Sequence, residues 1–341
     1  MDFFNLPKNP VIILSRPDRI GDVVITSSCF APIHEKYPDA RIYLLARKDL
    51  QPLFARSPYL AGFIPLPEMA REEEVLRMLC ELKPDVVVHF QPHPVCQRLA
   101  QRARVPVRIG WRHFPWTRTL THAFSDRRAE GKKHEALYNF DLLECLGVFP
   151  PSRLQAAIHP PEEARVSLAA KLGTTPFVVL NPTTARAVRR WPAERFARLA
   201  QWLCADKNMA VVSIGASEGD LREFAALSGD LDIVRLEGKL NLAELAWLLR
   251  AARLLVTCDT GPSHIAAAVG CPQVTIFGRT EPPYGPARWR PLSDRVVLVS
   301  TSVRRRFFEP KRVFWRRGFD SISVEMVQEA VEKVLGDRPK R

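Results

Sequence analysis

The sequence predicts an α/β protein made of two doubly wound, Rossmann-like domains facing a central cleft. Three observations predict it. Short apolar runs alternate with helical patterns, which implies parallel sheets covered on both faces. The alternation stops at Pro150-Pro151 and then restarts, with no sequence repeat between the halves. At 341 residues the chain is longer than one typical core organises and suits two domains.

In the first half the runs at 11–14, 41–45, 63–66, 85–90 and 107–111 have the length and bounds of buried strands. Helical patterns lie between them over 22–37, 48–56, 72–82 and 94–104, and a longer helix over 132–146 is closed by Gly147. A non-periodic linker follows Pro150-Pro151. In the second half strands are expected at 177–180, 209–214, 233–236, 254–258, 273–277 and 295–299, with helices over 193–205, 218–227, 242–250 and 263–269. The first domain is therefore expected at 1–155 and the second at 156–322. The last helix, at 324–334 within a tail of 323–341, is expected to pack back on the first domain.

Composition narrows the class. Hydrophobic residues at 46% and charged residues at 26% are those of a globular chain, not a disordered one. No apolar run approaches the roughly 20 residues that a membrane-spanning helix needs. The first ten residues, MDFFNLPKNP, lack the basic flank and apolar stretch of a secretory signal. Seven scattered cysteines without a CxxC pair argue against a zinc ribbon or a disulfide framework, and point to a reducing cytoplasm.

The net charge of +13 favours anionic partners. Much of it lies where Arg304, Arg305, Arg306, Lys311, Arg312, Arg316 and Arg317 are interleaved with Phe307, Phe308, Phe314 and Trp315. Such a strip can rest on anionic lipid headgroups. The plainer expectation is a solvated loop whose aromatics pack into the core, with a modest electrostatic role.

The most informative segment is Asp259-Thr260-Gly261-Pro262-Ser263-His264, between a strand and an Ala-rich helix. In an open α/β sheet that edge binds ligands. Gly261 lets the backbone approach a ligand, Pro262 suits a first helical turn, and the helix start can receive a phosphate. Thr260 and His264 add donors. An ordinary capped helix, with Asp259 or Thr260 as the cap, competes with this reading.

Other strand ends carry polar groups. Asn181-Pro182-Thr183-Thr184 leads into a loop with Arg186, Arg189 and Arg190, then Trp191-Pro192; hydroxyls and guanidinium forks suit a diphosphate. Glu218 and Asp220 follow Gly215, where a carboxylate either accepts from ribose hydroxyls or caps the helix. Lys239 and Leu240 could line a base pocket. In the first half, Ser15-Arg16-Pro17-Asp18-Arg19-Ile20-Gly21-Asp22 matches neither GxGxxG nor GxxxxGK, which argues against a nicotinamide or Walker-type site. Asp22 is either a helix-start carboxylate or a base that deprotonates a hydroxyl; Arg16 and Arg19 could hold an acidic acceptor. His89 and His93, flanking Gln91, lack the further ligands a metal requires, so packing or sugar contact is expected there.

Together these motifs resemble glycosyltransferase family 9, the ADP-heptose:lipopolysaccharide heptosyltransferases. The resemblance rests on Arg19-Ile20-Gly21-Asp22, on Asn181-Pro182-Thr183-Thr184 to Trp191-Pro192, on Asp259 to His264, and on Phe277-Gly278-Arg279-Thr280-Glu281-Pro282; His134 with Leu142 to Gly147 resembles the family's cross-cleft helix. It implies a GT-B fold and inverting, metal-independent transfer, with no cofactor beyond a nucleotide-sugar donor, ADP-heptose. It implies Asp22 as catalytic base and Arg16, Arg19, Gln91 and His93 toward the acceptor. It implies donor contacts from Thr183, Thr184, Arg189, Glu218 or Asp220, Lys239, Leu240, Asp259, Thr260, Gly261 and His264. The expected partners are the nucleotide sugar, an anionic lipid-linked glycan and an anionic membrane surface, which places the protein in the cytoplasm at the inner face of the inner membrane. Two departures stand out: the 185–190 loop is one residue longer than the family spacing, and the basic, aromatic tail replaces a cysteine-containing pattern. The competing readings are a GT-B enzyme using another nucleotide sugar, as transferase or epimerase, and a basic nucleic-acid-binding protein, for which no motif is present.

Overall fold

A computed structural model describes residues 4, 6–66, 71–169, 175–184, 190–216 and 218–336. The chain divides into two compact units at Pro160/Pro161, five residues beyond the expected boundary. Each is an α/β unit around one parallel six-stranded sheet.

The first sheet comprises β1 (Val11–Ser15), β2 (Arg41–Ala46), β3 (Leu60–Pro65), β4 (Val86–His89), β5 (Val107–Trp111) and β6 (His122–Phe124), in the order β3-β2-β1-β4-β5-β6. The second comprises β7 (Phe177–Asn181), β8 (Ala210–Ser213), β9 (Ile233–Arg235), β10 (Leu254–Cys258), β11 (Gln273–Phe277) and β12 (Val296–Ser300), in the order β12-β11-β10-β7-β8-β9. Central strands are buried along their whole length, as helices on both faces require. Strand order reverses between β1 and β4 and again between β7 and β10, and such switch points open crevices at the carboxyl edge.

The sequence missed several short elements, three of which bear on the fold. β6 is a three-residue edge strand, too short to show a period. The helices Glu163–Ala169 and Lys311–Asp320 fall in stretches read as linker and loop. The expected 22–37 helix is two helices, Ile20–Thr26 and Phe30–Lys36, joined by a 3₁₀ turn. Thr26, Ser27 and Ser28 all donate side-chain hydroxyls to carbonyls three or four residues back, and Pro32 has no N–H to continue the ladder.

The last helix, Val324–Gly336, packs within the second unit. Its buried Val324, Val327, Ala330 and Val331 join the second unit's core with Trp191, Phe196, Val256 and Ile276, so its apolar face is used within that unit. The first unit has a core of its own around Ile13, Leu45, Ile64, Val87 and Leu99.

Candidate active site

In the first unit, Asp22 sits in the first turn of Ile20–Thr26, just past β1, and is 3% exposed. Its Oδ1 accepts from Arg16 Nη2 at 2.8 Å and its Oδ2 from Arg19 Nε at 3.0 Å. That helix start has no side-chain cap, and the carboxylate faces the two guanidinium groups instead.

Arg16, expected to hold an acceptor, is buried and committed to protein groups. Its Nε donates to Asp18 at 2.8 Å, Nη2 also to Glu135 at 2.8 Å, and Nη1 to Asn139 at 3.2 Å. Burial opposes its charge, but Asp18, Glu135 and Asp22 together hold its pKa above the ordinary value. Arg16 therefore positions Asp22. Burial pushes Asp18 up to about 6, with Arg16 pulling it down and Asp22 adding to the rise. Arg19 differs: its side chain is 64% exposed and within reach of an anionic ligand.

The other two expected acceptor residues lie after β4. Gln91 Oε1 accepts from Arg128 Nη1 at 2.8 Å, and Arg128 is itself buried, paired with Asp126 and stacked 5.2 Å from the Trp111 ring. His93 is half-buried and caps the helix Pro94–Arg102, its Nδ1 accepting from the Cys96 N–H. His89 is buried in the core, which holds its pKa down to about 3, with His93 and Arg108 adding to the effect. Glu135, Asn139 and Arg128 escaped the sequence reading. Glu135 and Asn139 lie 119 and 123 residues from Arg16, so no local pattern joins them. His134, carried by the resemblance, caps Glu135–Leu143 through Nδ1.

In the second unit the polar groups converge over β7 and β10. Asn181 Nδ2 donates to Thr257 Oγ1 at 3.1 Å and to Thr260 Oγ1 at 3.2 Å, while its Oδ1 accepts from Thr183 Oγ1 at 3.1 Å. Thr260, at the N-cap of Gly261–Ala268, makes no cap with its side chain; its hydroxyl turns back to Thr257, 3.0 Å away. The start of that helix keeps its dipole aimed past Gly261 and Pro262. His264 lies one turn in, 4% exposed, its Nε2 4.0 Å from Asp259 Oδ1. Asp259 also accepts from Arg279 at 3.1 Å, a buried guanidinium stacked on Tyr284 and Trp315 that the sequence reading quoted without a role.

Thr183 and Thr184, just past β7, are buried. A Cβ on Gly215 would fall 2.5 Å from Thr183 Oγ1, so the strand ends of β7 and β8 approach this closely only with glycine there. Asp220, a candidate for ribose, instead accepts from the Thr184 N–H at 3.4 Å and pairs with Arg190, which also binds Glu223 at 2.6 Å. Its carboxylate braces the loop end, whereas Glu218 is exposed at the helix start. Lys239 is exposed, its Nζ donating to the Arg235 carbonyl at 2.9 Å, and Leu240 is half-buried. Arg186 and Arg189 lie outside the described residues. Trp191 anchors the end of that loop: its N–H reaches Cys258 Sγ and its indole donates to the Ile322 carbonyl at 2.8 Å.

Residues 74–309 match the profile described as glycosyltransferase family 9 (heptosyltransferase). The chain belongs to that family. Lipopolysaccharide heptosyltransferase 3 of Escherichia coli is 26% identical over 297 residues, 81% of this chain and 85% of the relative. The glycosyl transferase family 9 structure from Veillonella parvula shares the fold at TM-score 0.80, over 96% of this chain and 98% of that one at 23% identity. The structure of E. coli ADP-heptose lps heptosyltransferase II does so at 0.79, over 95% and 98%, at 21% identity. The protein is thus a glycosyltransferase of GT-B class. In this transferase the motif residues fall on two sheet edges: Asp22 with Arg16 and Arg19 on the first, and Thr183, Thr184, Thr260, Gly261 and His264 on the second.

Proposed function

We propose that this transferase moves a heptose from ADP-heptose to a lipopolysaccharide core or related lipid-linked glycan, with inversion and without a metal. The observation that carries the reading is the start of Gly261–Ala268, where Thr260 makes no side-chain cap, with His264 in the first turn and Thr183 tied to Thr260 through Asn181. A departing diphosphate gains negative charge, and a helix start, hydroxyls and an imidazole are suited to stabilise it in place of a cation. Arg189 is assigned to the same phosphates. Thr260 and Asp259 shape the turn, and Glu218, Lys239 and Leu240 are left for ribose and base.

The first unit supplies the other half of the chemistry. Asp22 takes the proton of the acceptor hydroxyl as it attacks the anomeric carbon opposite the leaving group. Arg16 holds Oδ1, so Oδ2, shared with exposed Arg19, is the oxygen that reaches the hydroxyl. Arg19, Gln91 and His93 are assigned to the acceptor, whose anionic groups suit a chain of net charge +13. No helix among the described residues is long and apolar enough to cross a membrane. A lipid-linked acceptor then places the enzyme as a peripheral protein at the cytoplasmic face of the inner membrane.

The test is a donor panel of ADP-heptose, ADP-glucose and UDP-N-acetylglucosamine with a delipidated core acceptor, scored by nucleotide release and by the anomeric configuration of the product. The expected result is acceptor-dependent ADP release from ADP-heptose, an inverted linkage and no loss with EDTA. His264→Ala is expected to weaken ADP binding by about 1–3 kcal/mol, the scale of a lost charge-assisted hydrogen bond. Preference for a uridine donor, retention of configuration, or loss of activity with EDTA would each overturn the corresponding part of the reading.

A further inference from the structure

Residues 304–320 carry seven cations against two carboxylates, and the structure divides the aromatics of this segment. Phe314 and Trp315 are buried, as expected of a packed loop, but Phe307 and Phe308 are 89% and 90% exposed. The two rings meet edge to face with centroids 4.3 Å apart, at the apex of a turn. That turn is built on Glu309. The Arg306 N–H donates to its carboxylate at 3.0 Å, Arg317 donates to both its oxygens at 3.0 and 2.8 Å, and Arg305 donates to its carbonyl. The Arg317 hydrogen bond, then the Arg306 N–H, hold Glu309 down to about 2. Phe308 has φ +61°, a backbone conformation that bulky residues rarely adopt.

A merely solvated turn needs neither feature. Two adjacent rings in water forgo the burial that drives folding, and here a clasped, left-handed turn holds them there. Around them Arg304, Arg306, Lys311 and Arg312 are exposed; the Arg306 charge acts on the Glu309 carboxylate, and the segment keeps a surplus of cations over carboxylates. Apolar rings at an apex, ringed by exposed cations in excess over carboxylates, are complementary to one surface: an acyl boundary beneath anionic headgroups.

We propose that this turn is a membrane-docking element in which Phe307 and Phe308 enter the interface of an anionic bilayer while Arg304, Arg306, Lys311 and Arg312 lie against headgroup phosphates. The proposal deepens, and rests on, the peripheral placement given above. The helix that bears Lys311 and Arg312 also lays Trp315 on Arg279, the partner of Asp259, so docking fixes the orientation of the phosphate-binding loop toward the lipid surface.

The test is co-sedimentation of the full chain with phosphatidylethanolamine/phosphatidylglycerol vesicles and with phosphatidylcholine vesicles, across a salt series. Three proteins are compared: wild type, Phe307→Gln/Phe308→Asn, and Arg304→Gln/Arg306→Gln/Arg312→Gln; Asn tolerates the positive φ at 308. Wild type is expected to bind the anionic vesicles. The ring variant is expected to bind about tenfold or more weakly, its residual binding vanishing as salt rises. The arginine variant is expected to lose affinity and most of its salt dependence. In Phe307→Trp, fluorescence should shift to the blue and be quenched by brominated acyl chains. Equal vesicle affinity of wild type and ring variant at every salt concentration overturns insertion while leaving electrostatic attachment. No binding of wild type to either vesicle overturns the peripheral placement as well. Ring-dependent self-association in sedimentation velocity, without vesicle binding, assigns the rings to a second copy of the chain and also overturns the proposal. Unchanged turnover of a delipidated acceptor by both variants separates these results from any failure of the transferase reading.

Discussion

Arg16 Nη2 lies 2.8 Å from both Asp22 Oδ1 and Glu135 Oε1, so one buried nitrogen joins a helix start after the first strand to a helix more than a hundred residues on. Removing one member of such a cluster leaves the others buried without compensation. Arg16→Gln is expected to lower stability by about 3–5 kcal/mol. Arg19→Gln, at an exposed pair, should change it by less than about 1 kcal/mol while raising the KM for an anionic acceptor. Urea denaturation and steady-state kinetics on the two variants check this. Equal stability losses would show that the burial difference does not matter.

Asp22→Asn keeps the size of the side chain and removes its ability to take a proton. Turnover is expected to fall by roughly 10²–10⁴, the usual contribution of a general base. ADP affinity should stay near wild type, because the phosphate groups are assigned to the other unit. Near-normal turnover at saturating substrates would remove Asp22 from the chemistry.

Gly215 stands in a steric relation to Thr183. In Gly215→Ala the new methyl group meets Thr183 Oγ1 and Cγ2, at 2.5 and 2.6 Å, and something must shift. ADP affinity is expected to fall by about 1–3 kcal/mol, the scale of a lost hydrogen bond. Adding Gly215→Ala to Thr183→Ala should cost much less than adding it to wild type, because the nearest atoms are gone. Calorimetry on the double-mutant cycle reads this directly, and additive losses would mean that Thr183 is not the group displaced.

His89 sets a pH dependence of folding. Its pKa is held down to about 3 by burial, and both ring nitrogens are buried without a hydrogen-bond partner among the described residues. At high pH the ring is neutral in the folded and the unfolded chain alike. As pH falls through the ordinary histidine value of about 6.5, the unfolded chain takes up a proton that the folded one refuses. This site therefore erodes stability progressively between about pH 6.5 and about pH 3. His89→Leu should flatten that part of the acid limb, measured as the urea midpoint at mildly acidic and neutral pH. An unchanged slope would place the acid sensitivity elsewhere.

The sequence by itself determined the architecture and the strand edges at which the polar motifs lie. Strand and helix periods are local, and a ligand motif such as Asp259 to His264 is contiguous because one strand-to-helix turn carries it. The sheet-edge positions of Asp22, Thr183, Thr184 and His264 were legible for that reason. The tertiary structure decided what each side chain does there. Whether Arg16 meets a ligand or a carboxylate depends on Glu135 and Asn139, brought to it by the order of strands and not by proximity in the chain. Asp220 could be a ribose ligand or a helix cap in the sequence, and only the fold showed that it pairs with Arg190 and accepts from the Thr184 N–H. Phe307 and Phe314 belong to one aromatic strip in sequence, yet only the second faces the core, because Glu309 closes a turn under the first. Burial and charge pairing are sums over neighbours distant in the chain, so they become definite only once the sheets have formed.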